Sequence, residues 1–178
     1  YVLELAPGEL HEDDAAIRLA RVLGGTGVTF RPPSEGKVIL RAAWTGLLRI
    51  NVELLVGINE TDDIIVSTLH DATPCTGGTM VAATRIIPLT IEERRITQVE
   101  GWCARSPVVD VLPYRRTRVA ALVTGDEIFK GRIDDSFDEA VGTKIEAYGA
   151  EVVEKRRAPD DPEEIARNLR EMRTVGVD

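Results

Sequence analysis

The spacing of hydrophobic and polar residues differs between the two parts of the chain. In the first part, apolar residues at helical spacing predict helices at 15–23, 52–59 and 91–104. Short apolar or alternating runs predict strands at 1–5, 38–40, 63–69 and 80–88. The glycines of 24–27 follow a helix and precede no Gly-Lys-Ser/Thr, so they indicate a helix C-cap and turn. This part is therefore expected to be α+β.

The second part alternates strictly between strand and helix patterns. A short strand at 107–113 ends in proline, and a cationic connector follows it. Beyond the connector, the pattern predicts a buried strand at 118–124, a helix at 136–148, a strand at 151–157 and a helix at 162–173. Such alternation is typical of parallel strands joined by right-handed crossovers.

The expected architecture is α/β, with a domain boundary close to Tyr114. A smaller α+β domain, residues 1–114, precedes an incomplete Rossmann-like parallel-sheet segment, residues 115–178. A two-stranded remnant of this kind would leave an exposed sheet edge, which makes a homo-oligomer possible.

Composition narrows the classes of partner. The 178 residues include 30 acidic and 22 basic side chains, and the net charge of -8 opposes binding to nucleic acid or to anionic membranes. No apolar run is long enough to span a bilayer, so a soluble protein in the cytoplasm, with neither nucleic acid nor membrane as partner, is expected. Cys75 and Cys103 are too few for a thiolate metal site and are interpreted as buried thiols.

Two acidic loops follow the predicted parallel strands. The first spans 123–136 and the second 157–162, and loops at the carboxyl ends of parallel strands gather at one edge of the sheet. Helix capping accounts for Ser136 with Glu139 and for Asp161 before Pro162. It does not account for the other carboxylates of the two loops, which are Asp126, Glu127, Asp134, Asp135 and Asp160. Two interpretations stay open: a solvated acidic surface, or a site where Mg²⁺ bridges carboxylates to a ligand phosphate.

Residues of both loops resemble a known family. The segments Thr124-Gly125-Asp126-Glu127, Gly131, Asp135-Ser136, Gly149 and Asp160-Asp161 are similar to those of the molybdopterin-binding domain family. That family includes molybdopterin adenylyltransferases, molybdopterin molybdenumtransferases and a nucleotide-hydrolase domain related to competence-damage proteins. The resemblance extends over about sixty residues from Arg118, and a weaker one to uncharacterised molybdopterin-binding proteins covers parts of the first domain.

The resemblance implies a pterin ligand and its binding residues. The ligand would be molybdopterin or adenylated molybdopterin, held with Mg²⁺ at the carboxyl edge of the sheet. Asp135 and Asp160 would be the carboxylates near the ligand or metal, and Gly125 and Gly131 would let the backbone approach closely. The remaining binding residues would be Thr124, Asp126, Glu127 and Ser136. No residue is assigned a catalytic role.

The chain departs from the family after its last helix. Family members continue into a further strand, a Thr-Gly-Gly loop and another aspartate-containing segment, whereas the sequence stops at Asp178. A fragment of a longer protein, inactive as it stands, is therefore expected. The resemblance implies a role in molybdenum cofactor biosynthesis or handling. The alternatives are a non-catalytic module that senses or binds the cofactor, and a nucleotide pyrophosphohydrolase related to the competence-damage proteins.

Overall fold

The protein folds as two compact units. A computed structural model describes residues 4–132 and 134–177, and the chain divides into unit 1, Tyr1–Pro113, and unit 2, Tyr114–Asp178. Unit 1 is the longer of the two. Across the described residues, no helix is both long enough and apolar enough to cross a bilayer.

Unit 1 is α+β. Its helices are α1 (Glu12–Leu23), α2 (Val52–Asn59) and α3 (Glu93–Cys103). Its strands are β1 (Glu9–His11), β2 (Val28–Phe30), β3 (Lys37–Ala42), β4 (Gly46–Ile50), β5 (Ile64–Thr68), β6 (Pro74–Cys75), β7 (Met80–Ile86), β8 (Thr90–Glu92) and β9 (Val109–Pro113). All pairings between these strands are antiparallel, in the orders β2-β3-β7-β5, β6-β4-β9 and β1-β8.

Helix α1 and the four-stranded sheet enclose the core of unit 1. The helix buries one stripe of small and branched side chains, including Ala15, Leu19 and Leu23, against β3 and β7. His11 caps its start by accepting the Asp13 N–H at 3.3 Å, and the Gly24 N–H bonds the Ala20 carbonyl at its end. In β3, buried residues alternate with exposed or half-buried ones, so Lys37, Ile39 and Arg41 lie on the face of the sheet that is open to solvent. In β7, the four consecutive residues 81–84 are all buried.

Unit 2 is built on a parallel strand pair, as the strand and helix alternation predicts. Strands β10 (Arg118–Thr124) and β11 (Glu151–Ala158) run parallel, and β11 carries one extra residue, Val153, because the pairing moves from Val119 with Val152 to Ala120 with Glu154. The helical segments are α4 (Asp126–Phe129), a π-helical turn (Asp138–Gly142), α5 (Thr143–Ala147), α6 (Pro162–Met172) and a 3-10 turn (Arg173–Val175).

The hydrophobic core of unit 2 is small. Within its described residues, the fully buried apolar side chains are those of Ala121, Ala158 and Met172. Residues of β10 other than Ala121 are half-buried or exposed, so the expectation of a buried β10 is wrong. A pair of strands offers too little sheet surface to bury both of its faces.

Most predicted elements are present, with three differences. The predicted helix over 136–148 is interrupted, because a π-helical turn precedes α5. Of the predicted strand 1–5, residues 1–3 lie outside the described residues, and Glu4 and Leu5 belong to no strand. The strands that the sequence pattern did not predict are β1, β2, β4, β6 and β8. Most of these have two or three residues, which is too short for an alternating pattern to be visible.

Candidate functional site

The two acidic loops are joined at the carboxyl edge of the parallel strands. The Asp126 N–H donates to Oδ2 of Asp160 at 3.4 Å, and the Asp160 N–H donates to Oδ1 of Asp126 at 3.3 Å. Beside them, the Gly125 N–H donates to the Ala158 carbonyl at 3.2 Å and extends the pairing of β10 with β11 by one bond. The loops therefore lie side by side, as their position after parallel strands predicts.

Glycine is required at two positions of the first loop. Gly125 has φ +142° and precedes α4, where its carbonyl accepts the Phe129 N–H at 2.8 Å. Gly131 has φ +67° and follows the same short helix. A side chain at Gly131 would meet no atom within 4 Å, and one at Gly125 would meet only Ile128 at ordinary contact distance. Both positions favour glycine because their φ angles are positive, and not because a side chain would clash with a neighbour. The space beside them is therefore open.

Asp126 is neutralised by a lysine on its own helix turn. Lys130 Nζ lies 2.5 Å from Oδ2 of Asp126, four residues away. The lysine hydrogen bond, followed by the Asp160 N–H, holds the pKa of the Asp126 carboxyl below its usual value, and the pKa of Lys130 is correspondingly raised. Asp126 therefore stays ionised while its charge is balanced locally.

Asp135 is the most enclosed carboxylate of the two loops. Its side chain is 2% exposed, and Oδ2 lies 2.9 Å from Lys155 Nζ and 3.0 Å from Arg157 Nε. Its Oδ1 accepts the Phe137 N–H at 2.9 Å. The Lys155 hydrogen bond, then the Phe137 N–H, lowers the pKa of Asp135 to about 2. Lys155 also lies 5.1 Å from the centre of the Phe137 ring, so the same lysine packs against an aromatic face.

The predicted caps differ in outcome. Asp161 accepts the Glu163 and Glu164 N–H groups at 2.8 and 3.0 Å ahead of Pro162, which confirms the N-cap of α6. At the other helix start, it is Asp135 that accepts the Phe137 N–H, while the Ser136 carbonyl accepts the Ala140 N–H at 2.9 Å. The carboxylate of Asp135, and not the hydroxyl of Ser136, therefore caps the Phe137 N–H at this helix start.

The other predicted site residues lie along the same edge. Thr124 is the last residue of β10 and pairs with Ala158. Glu127 lies in α4, and its carbonyl accepts the Arg132 N–H at 2.8 Å, which closes the turn after the helix. All the predicted residues therefore belong to two adjacent loops and the strand ends that carry them.

Three cations that were not predicted as site residues also lie at this edge of the sheet. Lys130 pairs with Asp126, and Lys155 and Arg157 pair with Asp135, which are two of the carboxylates that helix capping left unexplained. The available signals were the four-residue spacing of Asp126 and Lys130 in a helical turn, and the alternate positions of Lys155 and Arg157 in a strand. Asp126 and Asp135 therefore do not depend on a metal ion for neutralisation, whereas Asp160 has no such partner among the described residues.

The described residues contain no ready-made metal centre. Between residues 4–132 and 134–177, no group of three or more His, Cys, Asp or Glu side chains converges to hold an ion. Asp160 engages Asp126 through one carboxylate oxygen, and Asp135 is occupied by two cations. Mg²⁺ can be held by one or two carboxylates together with phosphate oxygens, so this edge fits a metal only if a phosphorylated ligand brings it.

The geometry places both loops where open parallel sheets generally bind their ligands. They lie at the carboxyl edge of parallel strands in an α/β unit, with charged groups of both signs and open space beside two glycines. Residues 120–177, which include both acidic loops, match the family model described as a probable molybdopterin binding domain. The resemblance predicted from the loop residues is therefore confirmed for this segment. No curated protein and no solved structure matches the chain.

Proposed function

We propose that unit 2 binds molybdopterin, or its adenylated form, within the biosynthesis or handling of the molybdenum cofactor. The family match over residues 120–177 supports a pterin ligand. The observation that carries the location is the reciprocal hydrogen bonding of Asp126 and Asp160, since it aligns both loops at one edge inside the matched segment. A phosphorylated ligand at this edge would meet Lys130 and Arg157, whose charges oppose the repulsion by the carboxylates.

The Mg²⁺ dependence rests on Asp160 more than on Asp135. Asp160 has no cation within salt-bridge distance among the described residues, whereas Asp135 would have to give up Lys155 or Arg157 to bind a metal ion. In this proposal Asp160 and the ligand phosphate share the ion, and Asp135 is the second carboxylate of the site. Gly125 and Gly131 leave the neighbouring space free of side chains, and Thr124, Glu127 and Ser136 belong to the same surface.

Binding is tested by isothermal titration of the protein with molybdopterin, with and without Mg²⁺. Asp160→Asn keeps an oxygen that can accept the Asp126 N–H but removes the charge, so we expect it to abolish the Mg²⁺-dependent part of binding. Asp135→Asn is expected to weaken binding in both conditions, because it leaves Lys155 and Arg157 without their shared partner. Glu146→Gln, an exposed charge removal in the same unit, is the matched control.

Each result has a defined meaning. Loss of the Mg²⁺-dependent binding in Asp160→Asn and weaker binding in Asp135→Asn, with the control unchanged, support a pterin site at the joined loops. Wild-type protein that does not bind molybdopterin, or binding that neither aspartate affects, would return the loops to a solvated acidic surface.

The same samples separate the enzymatic hypotheses from simple binding. Mg²⁺-dependent turnover of the pterin nucleotide supports a transferase role in the intact protein, and hydrolysis of adenosine diphosphate sugars supports the pyrophosphohydrolase. Tight binding without turnover supports a sensing or binding module. We also propose that the protein is cytoplasmic, that this chain is a fragment and that it forms homo-oligomers. Cellular localisation, sequencing of the full reading frame and sedimentation, respectively, would test these three points.

A further inference from the structure

The open face of the four-stranded sheet in unit 1 carries an unusual charge pattern. Strands β2, β3, β5 and β7 contain no aspartate or glutamate, although the whole chain has 30 acidic residues. Four cations lie on or beside these strands and are exposed: Arg31, Lys37, Arg41 and Arg85. We call this surface the cationic face.

The register places like charges against each other. Lys37 of β3 pairs directly with Arg85 of β7, so the two side chains leave the same face of the sheet. Directly opposed like charges destabilise an antiparallel pair. Among the described residues, none of the four cations forms a salt bridge, whereas Arg18, Arg95 and Lys155 elsewhere in the chain all do. Arg85 Nε donates to the Ile86 carbonyl at 3.2 Å, but fold stability does not account for placing Lys37 directly opposite it.

A groove lies at one end of the cationic face. Its volume is about 470 Å³, within the range of small-molecule sites, and three of its lining residues are the cations Arg31, Lys37 and Arg41. Arg41 is held in place because its Nη1 donates to the Gly78 carbonyl at 2.9 Å across the groove. The hydroxyl-bearing residues Thr29 and Ser34 also line it.

The groove also has an apolar side. Ile39 lies between Lys37 and Arg41 on the same face of β3, and Pro32 also lines the groove. Three acidic residues belong to or contact the adjoining turn: Glu35 is in it and exposed, Asp13 accepts the Gly36 N–H at 3.1 Å, and Glu12 lies against the same glycine. None of the three lines the groove. Cations and an apolar wall together match an anion attached to an apolar group.

We propose that this groove binds a small organic phosphate, with the phosphate among Arg31, Lys37 and Arg41 and the apolar group against Ile39. A small ligand fits better than a nucleic acid, because the net charge of -8 repels a long polyanion while a single groove can bind one or two phosphates. This site belongs to unit 1 and is independent of the pterin proposal for unit 2.

The test is an NMR titration of the whole chain with phenyl phosphate and with inorganic phosphate. We expect both to shift the amide signals of Thr29, Ser34 and Lys37, with phenyl phosphate the tighter ligand because only it reaches Ile39. Lys37→Gln should weaken both by about tenfold, since it removes one charged hydrogen-bond donor. Ile39→Ala should weaken phenyl phosphate alone.

Arg105→Gln is the matched control, because it removes an exposed arginine of unit 1 that does not line the groove. Unchanged thermal melting of each variant shows that the fold is intact. The proposal would be overturned if Arg105→Gln weakened phosphate binding as much as Lys37→Gln does. It would also be overturned if the shifted amide signals lay outside the groove, or if no amide signals shifted. Tight binding of a single-stranded oligonucleotide without binding of either phosphate would also overturn it, in favour of a nucleic-acid surface.

Discussion

Asp126 and Asp160 each accept a hydrogen bond from the other's backbone N–H, at 3.3 and 3.4 Å. The two residues are 34 positions apart in the sequence and lie in adjacent loops of unit 2. This exchange, together with the bond from the Gly125 N–H to the Ala158 carbonyl, connects the loops beyond the last residues of the strands. The separation between the loops is therefore set by backbone donors and depends on two carboxylates.

Removing one of those carboxylates should loosen the loops. In Asp160→Ala, the Asp126 N–H loses its acceptor, and we expect its hydrogen exchange to accelerate about fivefold, the equivalent of one hydrogen bond of about 1 kcal/mol. Asp160→Asn should change exchange less, since its amide oxygen can still accept. Exchange measured by NMR checks this, with the exposed Asp134→Ala as a control within the same loop. Identical exchange in all variants would show that the loops are fixed by other contacts.

Asp135 should make unit 2 sensitive to acid. Its pKa is lowered from 3.8 to about 2 in the folded state, so its ionised form stabilises the fold fully above pH 4. That contribution is lost as the pH falls from about 4 through about 2, when the carboxylate is protonated and no longer balances Lys155 and Arg157. A carbon-detected NMR titration of the Asp135 carboxyl should give a midpoint near 2. A midpoint near 3.8 would contradict the described ion pairs.

Two glycines should respond to alanine in opposite directions. Gly125→Ala forces a side chain into φ +142°, so we expect the free energy of unfolding of unit 2 to fall by about 1–3 kcal/mol. Gly57→Ala, inside α2 with no atom within 4 Å of the added methyl group, should raise that of unit 1 by about 0.5–1 kcal/mol. Urea denaturation followed by circular dichroism measures both. A neutral Gly125→Ala would show that this backbone turn can adopt another conformation.

The two cysteines should be unreactive in the folded protein. Both are buried, and burial raises the pKa of Cys75 and raises that of Cys103 to about 11. At pH 8 we therefore expect slow labelling by a thiol-specific disulfide reagent, and release of two thiols per chain only after denaturation. Rapid labelling of either cysteine in native protein would contradict the burial.

The elements that were predicted well share a physical property. Helix α2 and strand β10 have the predicted bounds, because a cap or a charged connector stands at each end of an apolar run. The edge location of Thr124, Asp126 and Asp160 could likewise be predicted, since a parallel strand pair brings its carboxyl ends together.

Other features depend on tertiary contacts that a sequence does not display. The partners of Asp135 come from β11, about twenty residues away, and their approach depends on how that strand is aligned with β10. Two- and three-residue strands such as β6 and β8 exist only because a neighbour pairs with them. The half-buried β10 could not be anticipated either, because burial of a strand requires the surrounding elements and not only an apolar composition.

The extra residue Val153 in β11 makes the number of residues in that strand matter, in addition to their identity. Beyond it, Lys155 and Arg157 point to the side of Asp135, while Arg156 points to the other side and pairs with Glu171 of α6. Deletion of the unpaired Val153 would leave Glu154 opposite Ala120 and remove only the bulge, whereas a deletion between Glu154 and Ala158 would exchange which side chains face Asp135. Homologous chains that keep this ion-pair arrangement should therefore keep the number of residues between the bulge and Ala158.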